Sequence, residues 1–84
     1  MSKAKKTAEI PGDEVYLKML GKRIRDLRIK AGYTSHESFA YTFDFPRTQY
    51  GRYERGHNIT YLNIIKIVRA FDMTLEEFFS EGFE

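Results

Sequence analysis

The sequence contains no cysteine, which excludes disulfides, thiolate metal sites and thiol catalysis and leaves packing alone to hold the core. It also lacks a long apolar run, so no segment is suited to span a bilayer. The stretch from Met1 to Lys6 carries charge with no apolar segment behind it and does not read as a secretory signal, so a soluble, cytoplasmic protein is the expectation. There is no glycine-rich phosphate loop, no His-Glu-x-x-His pattern and no internal repeat. Only two histidines occur, His36 and His57, and no carboxylates stand at fixed spacing to complete a metal site with them. Neither a cofactor, a metal nor enzyme chemistry is therefore expected.

What is present is ordinary globular material. Hydrophobic residues make up 42% and charged residues 31%, and 7 Phe and 6 Tyr supply bulk for one small core. A chain of 84 residues is read as a single domain. The net charge of +2 conceals a polarity along the chain. All 14 Lys and Arg fall in residues 1–69, against 7 acids, whereas residues 70–84 hold Asp72, Glu76, Glu77, Glu81 and Glu84 and no base. That distribution suits a polyanion on one side, and equally a set of plainly solvated helices.

Periodicity predicts five short helices and no strand. Residues 1–13 end at Pro11-Gly12 and read as a flexible basic arm. Helix 1 is expected from about Glu14 to Ala31, with Val15, Leu20, Ile24 and Leu27 on one face and Gly32 as its stop. Helix 2 starts at Thr34 or Ser35, where Thr34-x-x-Glu37 fits a capping box, and carries Phe39, Ala40 and Phe43 inward. Helix 3 opens with Pro46 as its first residue and closes at Arg55-Gly56. Helix 4, capped by Thr60, places Tyr61, Ile64, Ile65, Val68 and Phe71 on one side. In helix 5, Thr74-x-x-Glu77 is a second capping box, and Leu75, Phe78 and Phe79 are the anchors. Helices 2 and 3, separated by about three residues, have the spacing of a helix-turn-helix.

Helix 3 has unusual chemistry. Tyr50 and Tyr53, three apart, are expected to face the core, leaving Arg47, Thr48, Gln49 and Arg52 to project outward. A guanidinium can donate two parallel hydrogen bonds to guanine O6 and N7, a glutamine can pair bidentately with adenine, and a threonine hydroxyl serves base or phosphate. Each good bidentate pair gives roughly 1–3 kcal/mol of discrimination, so one helix is too little to find a single genomic site, and a homodimer on double-stranded DNA is expected. Gly51 is open to two readings, a close approach of the backbone to a helix or to DNA, or a neutral small residue on a crowded face.

These residues carry a family resemblance. The pieces are Gly21-Lys-Arg-Ile-Arg-Asp-Leu-Arg28, Gly32-Tyr-Thr-Ser-His-Glu-Ser-Phe-Ala40, Arg47-Thr-Gln-Tyr-Gly-Arg-Tyr-Glu-Arg-Gly56, Tyr61-x-x-Ile64-x-x-Ile67-Val68-x-x-Phe71 and Leu75-Glu-Glu-Phe-Phe79. Over about 70% of the chain they resemble the Cro/repressor-type helix-turn-helix (XRE) family of phage and bacterial regulators. The resemblance implies an all-α, lambda-repressor-like domain over residues 14–84 that binds duplex DNA and regulates transcription. It implies helix 3 as the recognition helix, with Arg47, Thr48 and Arg52 reading bases and Gln49 beside them. It places His36 where a phosphate contact is common and Arg55 near the sugar-phosphate backbone, with His57 and Asn58 as its neighbours. It also implies a partly buried ion pair between Arg28 and Glu54. The sequence departs from the pattern at Asp44, where the turn often has glycine, and at Pro46, where a small hydroxylic residue often opens helix 3.

Two other features stay open on the sequence. Lys3, Lys5 and Lys6 can reach phosphates or serve only as a solubilising tail. Phe78, Phe79 and Phe83 lie in the acidic end, where some must be core and any that are exposed suit a dimer contact. The same acidic, aromatic end supports an alternative function, an antitoxin-like module of the same fold that binds a protein partner.

Overall fold

Leu20, Ile24 and Arg28 recur at four-residue steps and are the inward positions of α1 (Asp13–Lys30) in the computed structural model, which describes residues 11–84. The Lys3, Lys5 and Lys6 arm lies outside the described residues. Asp13 and Glu14 in the first turn and Arg28 and Lys30 in the last complement the helix dipole. Four shorter helices follow, α2 (His36–Thr42), α3 (Arg47–Glu54), α4 (Tyr61–Ala70) and α5 (Leu75–Phe79), and all regular structure among the described residues is helical.

One closing device ends α1, α2, α3 and α4. Each helix ends on a left-handed residue, Gly32, Asp44, Gly56 and Asp72 in turn, with φ of 97°, 62°, 95° and 58°. Paired backbone bonds satisfy the last carbonyls: Tyr33 N to Arg28 O, Phe45 N to Ala40 O, His57 N to Arg52 O and Met73 N to Val68 O, at 2.8–3.2 Å. Each closure reverses the chain within a few residues, which is how five short helices fold back on one core. Glycine takes the left-handed conformation freely, and aspartate is among the few other residues that tolerate it.

The core is aromatic and centred on Phe39, which is fully buried. The rings of Tyr33, Phe43, Phe45, Tyr50 and Phe71 surround it with centroids 4.7–6.2 Å away. One side chain on α2 thus touches the end of α1, the helix-turn-helix turn, α3 and the end of α4. Leu20, Ile24, Ala40, Tyr53, Ile59, Ile67, Val68 and Phe78 complete the buried set. Arg23 of α1 fastens α5 by donating Nε to Phe78 O at 2.7 Å and Nη2 to Glu77 O at 3.0 Å, with its guanidinium over the Phe78 ring.

Several sequence expectations need correction. Helix 2 is capped by Ser35, whose hydroxyl accepts from Ser38 N at 3.1 Å, so Thr34-x-x-Glu37 is not a capping box. Pro46 is the cap of α3 and not its first residue; its ψ of 122° is extended, and Arg47 opens the helix. Val15, Tyr61 and Phe79 are exposed, at 39%, 62% and 42%; Val15 and Tyr61 stand in the first turns of α1 and α4, and Phe79 is the last residue of α5. Ile67, absent from the expected α4 stripe, is fully buried. Thr74 and Glu77 do form a capping box, with Thr74 N donating to Glu77 Oε1 at 2.8 Å and Glu77 N donating to Thr74 Oγ1 at 3.1 Å.

Candidate nucleic-acid interface

The orientation of α3 is set from three directions. Beneath its C-terminal end lies Gly21 of α1. A Cβ at Gly21 would sit 2.6 Å from Tyr53 O and 2.7 Å from Glu54 O, distances that real Cβ atoms do not show. The two backbones therefore meet directly, and only glycine permits it. A glycine inside a strongly helical pattern is a weak sequence signal for such contact, and Gly21 was not singled out by it.

The second tie is electrostatic. Arg28 of α1 and Glu54 of α3 form a bidentate pair, Nε to Oε2 at 2.8 Å and Nη2 to Oε1 at 3.0 Å, with both side chains only 7% exposed. The remaining Arg28 nitrogen, Nη1, donates to Tyr33 O at 2.8 Å. The Glu54 carboxylate holds the Arg28 pKa above its ordinary value, against the opposing effect of burial. The Tyr50 hydroxyl is buried beside this pair without a protein hydrogen-bond partner of its own. Burial first, and then the adjoining Glu54 carboxylate, push its pKa far above the usual phenol range. The third tie comes from α4, where Asn63 Nδ2 donates to Tyr53 Oη at 2.9 Å.

With Tyr50, Gly51 and Tyr53 buried, the opposite side of α3 is free. Arg47, Thr48, Gln49 and Arg52 are all exposed, as is the capping residue Arg55. Thr48, Arg52 and Arg55 are spaced four and three apart and so rise on one side, with Arg47 and Gln49 to either flank. Arg47 also lines an open groove with Glu37, Tyr41 and Asp44, which makes it the reader candidate with carboxylates in its own groove. His57 and Asn58 follow in the exposed loop after Gly56.

His36 opens α2 and lies against α3. Its ring is partly exposed, and Nδ1 is 3.7 Å from Glu37 Oε1. A Cβ on Gly51 would lie 3.0 Å from His36 Cδ2 and Nε2 and 3.4 Å from Arg55 Nη1. No partner backbone meets Gly51; the place of its missing side chain is taken by the imidazole of the preceding helix and adjoined by the Arg55 guanidinium. Of the helix-turn-helix residues singled out in the sequence, His36 on α2 and Arg55 at the cap of α3 are thereby brought together, while Arg47 and Arg52 are exposed along α3.

Among the described residues no group of three or more His, Cys, Asp or Glu is placed to hold a metal ion, and no helix is long and apolar enough to cross a membrane.

Comparison with known proteins agrees with this architecture. The helix-turn-helix family profile matches residues 24–78. The control protein C.MunI from a Mycoplasma species is 37% identical over 62 residues, covering 73% of this chain and 84% of that protein. The crystal structure of a hypothetical transcription factor, NHTF, from Neisseria superposes with a TM-score of 0.68 at 27% identity, covering 90% of this chain and 87% of that one. A helix-turn-helix locked from three sides, a basic outer face on its second helix and these similarities together place the chain in the Cro/repressor-type helix-turn-helix family of DNA-binding transcriptional regulators.

Proposed function

We propose that the protein binds duplex DNA sequence-specifically, with α3 in the major groove. Arg47, Thr48, Gln49 and Arg52 read base edges, and His36, Arg55, His57 and Asn58 hold the sugar-phosphate backbone. The observation that carries this reading is the division of α3 into a buried, triply fastened inner face and an outer face of exposed, hydrogen-bonding side chains. A rigid helix presents such side chains in fixed register to base edges, which is what direct readout requires. Arg47 and Arg52 are the expected donors to guanine and Arg55 to phosphate, and counterion release then makes affinity depend steeply on salt.

The protein acts as a homodimer in this reading. One α3 with two or three base contacts supplies only several kcal/mol of discrimination, on the order of 1–3 kcal/mol per contact, and a second copy doubles it. The acidic residues of the C-terminal end, Asp72, Glu76, Glu77, Glu81 and Glu84, would be repelled by phosphate and face away from the duplex.

In vitro selection from random duplexes tests the proposal. A palindromic motif with half-sites about 10 base pairs apart is the expected product. Arg52→Ala and Arg47→Ala are expected to flatten preference among selected sequences, at about 1–3 kcal/mol per lost bidentate contact. Absence of salt-sensitive affinity for any duplex in the pool would overturn it. Loss of binding on truncation of Phe78–Glu84, with a stoichiometric protein partner co-purifying only with the intact chain, would favour the partner-binding module instead.

A further inference from the structure

Gly51 stands in the middle of α3, where glycine is among the poorest helix formers. It is buried, yet neither the core nor another backbone fills the place of its missing side chain. The His36 imidazole does, with Cδ2 and Nε2 both 3.0 Å from where a Cβ would stand, and Arg55 Nη1 adjoins the same point at 3.4 Å. Contacts of 3.0 Å are tighter than side chains normally accept, so an alanine here requires the ring to give by a few tenths of an ångström. Ser35 caps α2 immediately before His36, and the ring itself is only partly exposed.

We infer that Gly51 is a positioning residue for DNA binding. Its missing side chain is the seat that sets the His36 imidazole beside the Arg55 guanidinium, so that one residue from α2 and one from the end of α3 act together on the same stretch of phosphate backbone. The inference rests on the reading above, that this face meets duplex DNA. It differs from that reading in assigning a role to a residue that itself offers no hydrogen bond. It also explains why a helix fastened from three directions retains a helix-weakening residue at its centre.

A four-protein cycle tests it, comparing the wild type with Gly51→Ala, His36→Ala and the double variant. Each is titrated by fluorescence anisotropy against two labelled duplexes, one taken from the selected pool and one scrambled. Gly51→Ala is expected to bind both duplexes about tenfold more weakly per protomer, the scale of one lost hydrogen bond to a charged group. Weakening should be uniform across sequences, because phosphate contacts carry no base information. In the His36→Ala background, Gly51→Ala is expected to cost nothing further, since the ring it displaces is gone. Its thermal midpoint should stay within a few degrees of the wild type, because alanine's better helix propensity offsets the displacement. Equal weakening by Gly51→Ala in both backgrounds would mean that the added methyl itself obstructs DNA, and would overturn the inference. So would unchanged affinity, or a loss of binding that tracks a fall in thermal midpoint. A wild type that binds neither duplex would instead refute the DNA-binding reading, a result visible before any variant is made.

Discussion

Replacing Glu54 with alanine is expected to be among the most damaging single changes to the fold, although it removes only a surface-type residue from a short helix. The carboxylate accepts two hydrogen bonds from Arg28, at 2.8 and 3.0 Å, in a site where both side chains are 7% exposed. Without it the guanidinium stays buried, because α1 and the Arg28 Nη1 bond to Tyr33 O hold it there. Leaving one member of a buried pair unpaired costs about 3–5 kcal/mol. A chain of 84 residues has a total stability of roughly 4–13 kcal/mol at typical values per residue. The change therefore consumes a large share of it. At about 4–8 °C per kcal/mol for a domain this small, the thermal midpoint falls by at least about 12 °C.

Glu54→Gln separates charge from shape. The amide oxygen can still accept from Nε, but the amide nitrogen then faces Nη2 donor to donor, so the cost is about 1.5–3 kcal/mol, the scale of one hydrogen bond to a charged group. Arg28→Met combined with Glu54→Leu is expected to recover most of the lost stability, because an apolar pair of similar volume avoids the desolvation that the ions incur. Calorimetry and urea unfolding of the wild type, Arg28→Met alone, Glu54→Leu alone and the double variant give the coupling directly. The reasoning is refuted if Glu54→Ala costs less than about 1 kcal/mol, which would place the pair among ordinary exposed salt bridges, or if the two single changes simply add in the double variant.

Changes at three further positions probe other ties and closures. Gly21→Ala forces a Cβ to within 2.6–2.7 Å of two α3 carbonyls and should destabilise by at least about 2 kcal/mol, measured by urea unfolding, with α1 lifted from α3; a neutral result would show that the helices do not meet backbone to backbone. Asp44→Gly relieves a φ of 62° at the helix-turn-helix turn and should raise stability by about 0.5–1 kcal/mol, whereas Asp44→Ala should lower it by a similar amount; equal effects of both would deny the left-handed closure. Tyr50→Phe deletes a buried hydroxyl that has no partner and should be neutral or slightly stabilising at pH 7. Because the folded pKa of Tyr50 is raised, its stabilising contribution is complete below the ordinary value of 10.0 and is lost as pH rises above it, so Tyr50→Phe should also lessen alkaline unfolding.

The helices were legible in the sequence because apolar spacing and punctuation agree: Gly32 and Gly56 close α1 and α3 where glycine stands after a basic last turn, and Thr60 and Thr74 cap α4 and α5. What could not be read was decided by tertiary geometry. Thr34 and Ser35 are both acceptable caps, and only the path of the chain from Gly32 selects Ser35. A 3.6-residue period identifies a stripe without saying how far along it the partner extends, which is why Val15 and Tyr61 were placed inward and Ile67 was not. The reader candidates on α3 follow directly from the burial of Tyr50 and Tyr53 three residues apart. The seats beneath them did not follow, because Gly21 and Gly51 act through atoms they lack, and a missing side chain shows its purpose only when the neighbour that occupies its place is known.

The arrangement separates what holds α3 from what α3 presents. Its inner face is fixed by α1 through Gly21 and Arg28, by α2 through Phe39 against Tyr50, and by α4 through Asn63, so no single element sets its angle. The outer side chains take no part in those ties. Long arginine and glutamine side chains lose rotamer freedom on binding, and that loss is tolerable only if the backbone beneath them is already ordered. A helix of 8 residues is too short to order itself in water, so the tertiary ties must supply the order before DNA arrives. Under the proposed reading, a new base preference on such a platform needs changes only at Arg47, Thr48, Gln49 and Arg52, exposed positions whose substitution leaves the core untouched. Changes at Gly21, Arg28, Phe39 or Glu54 alter the angle of every reader at once. Stability and sequence preference should therefore vary independently among outer-face variants and fall together among inner-face ones.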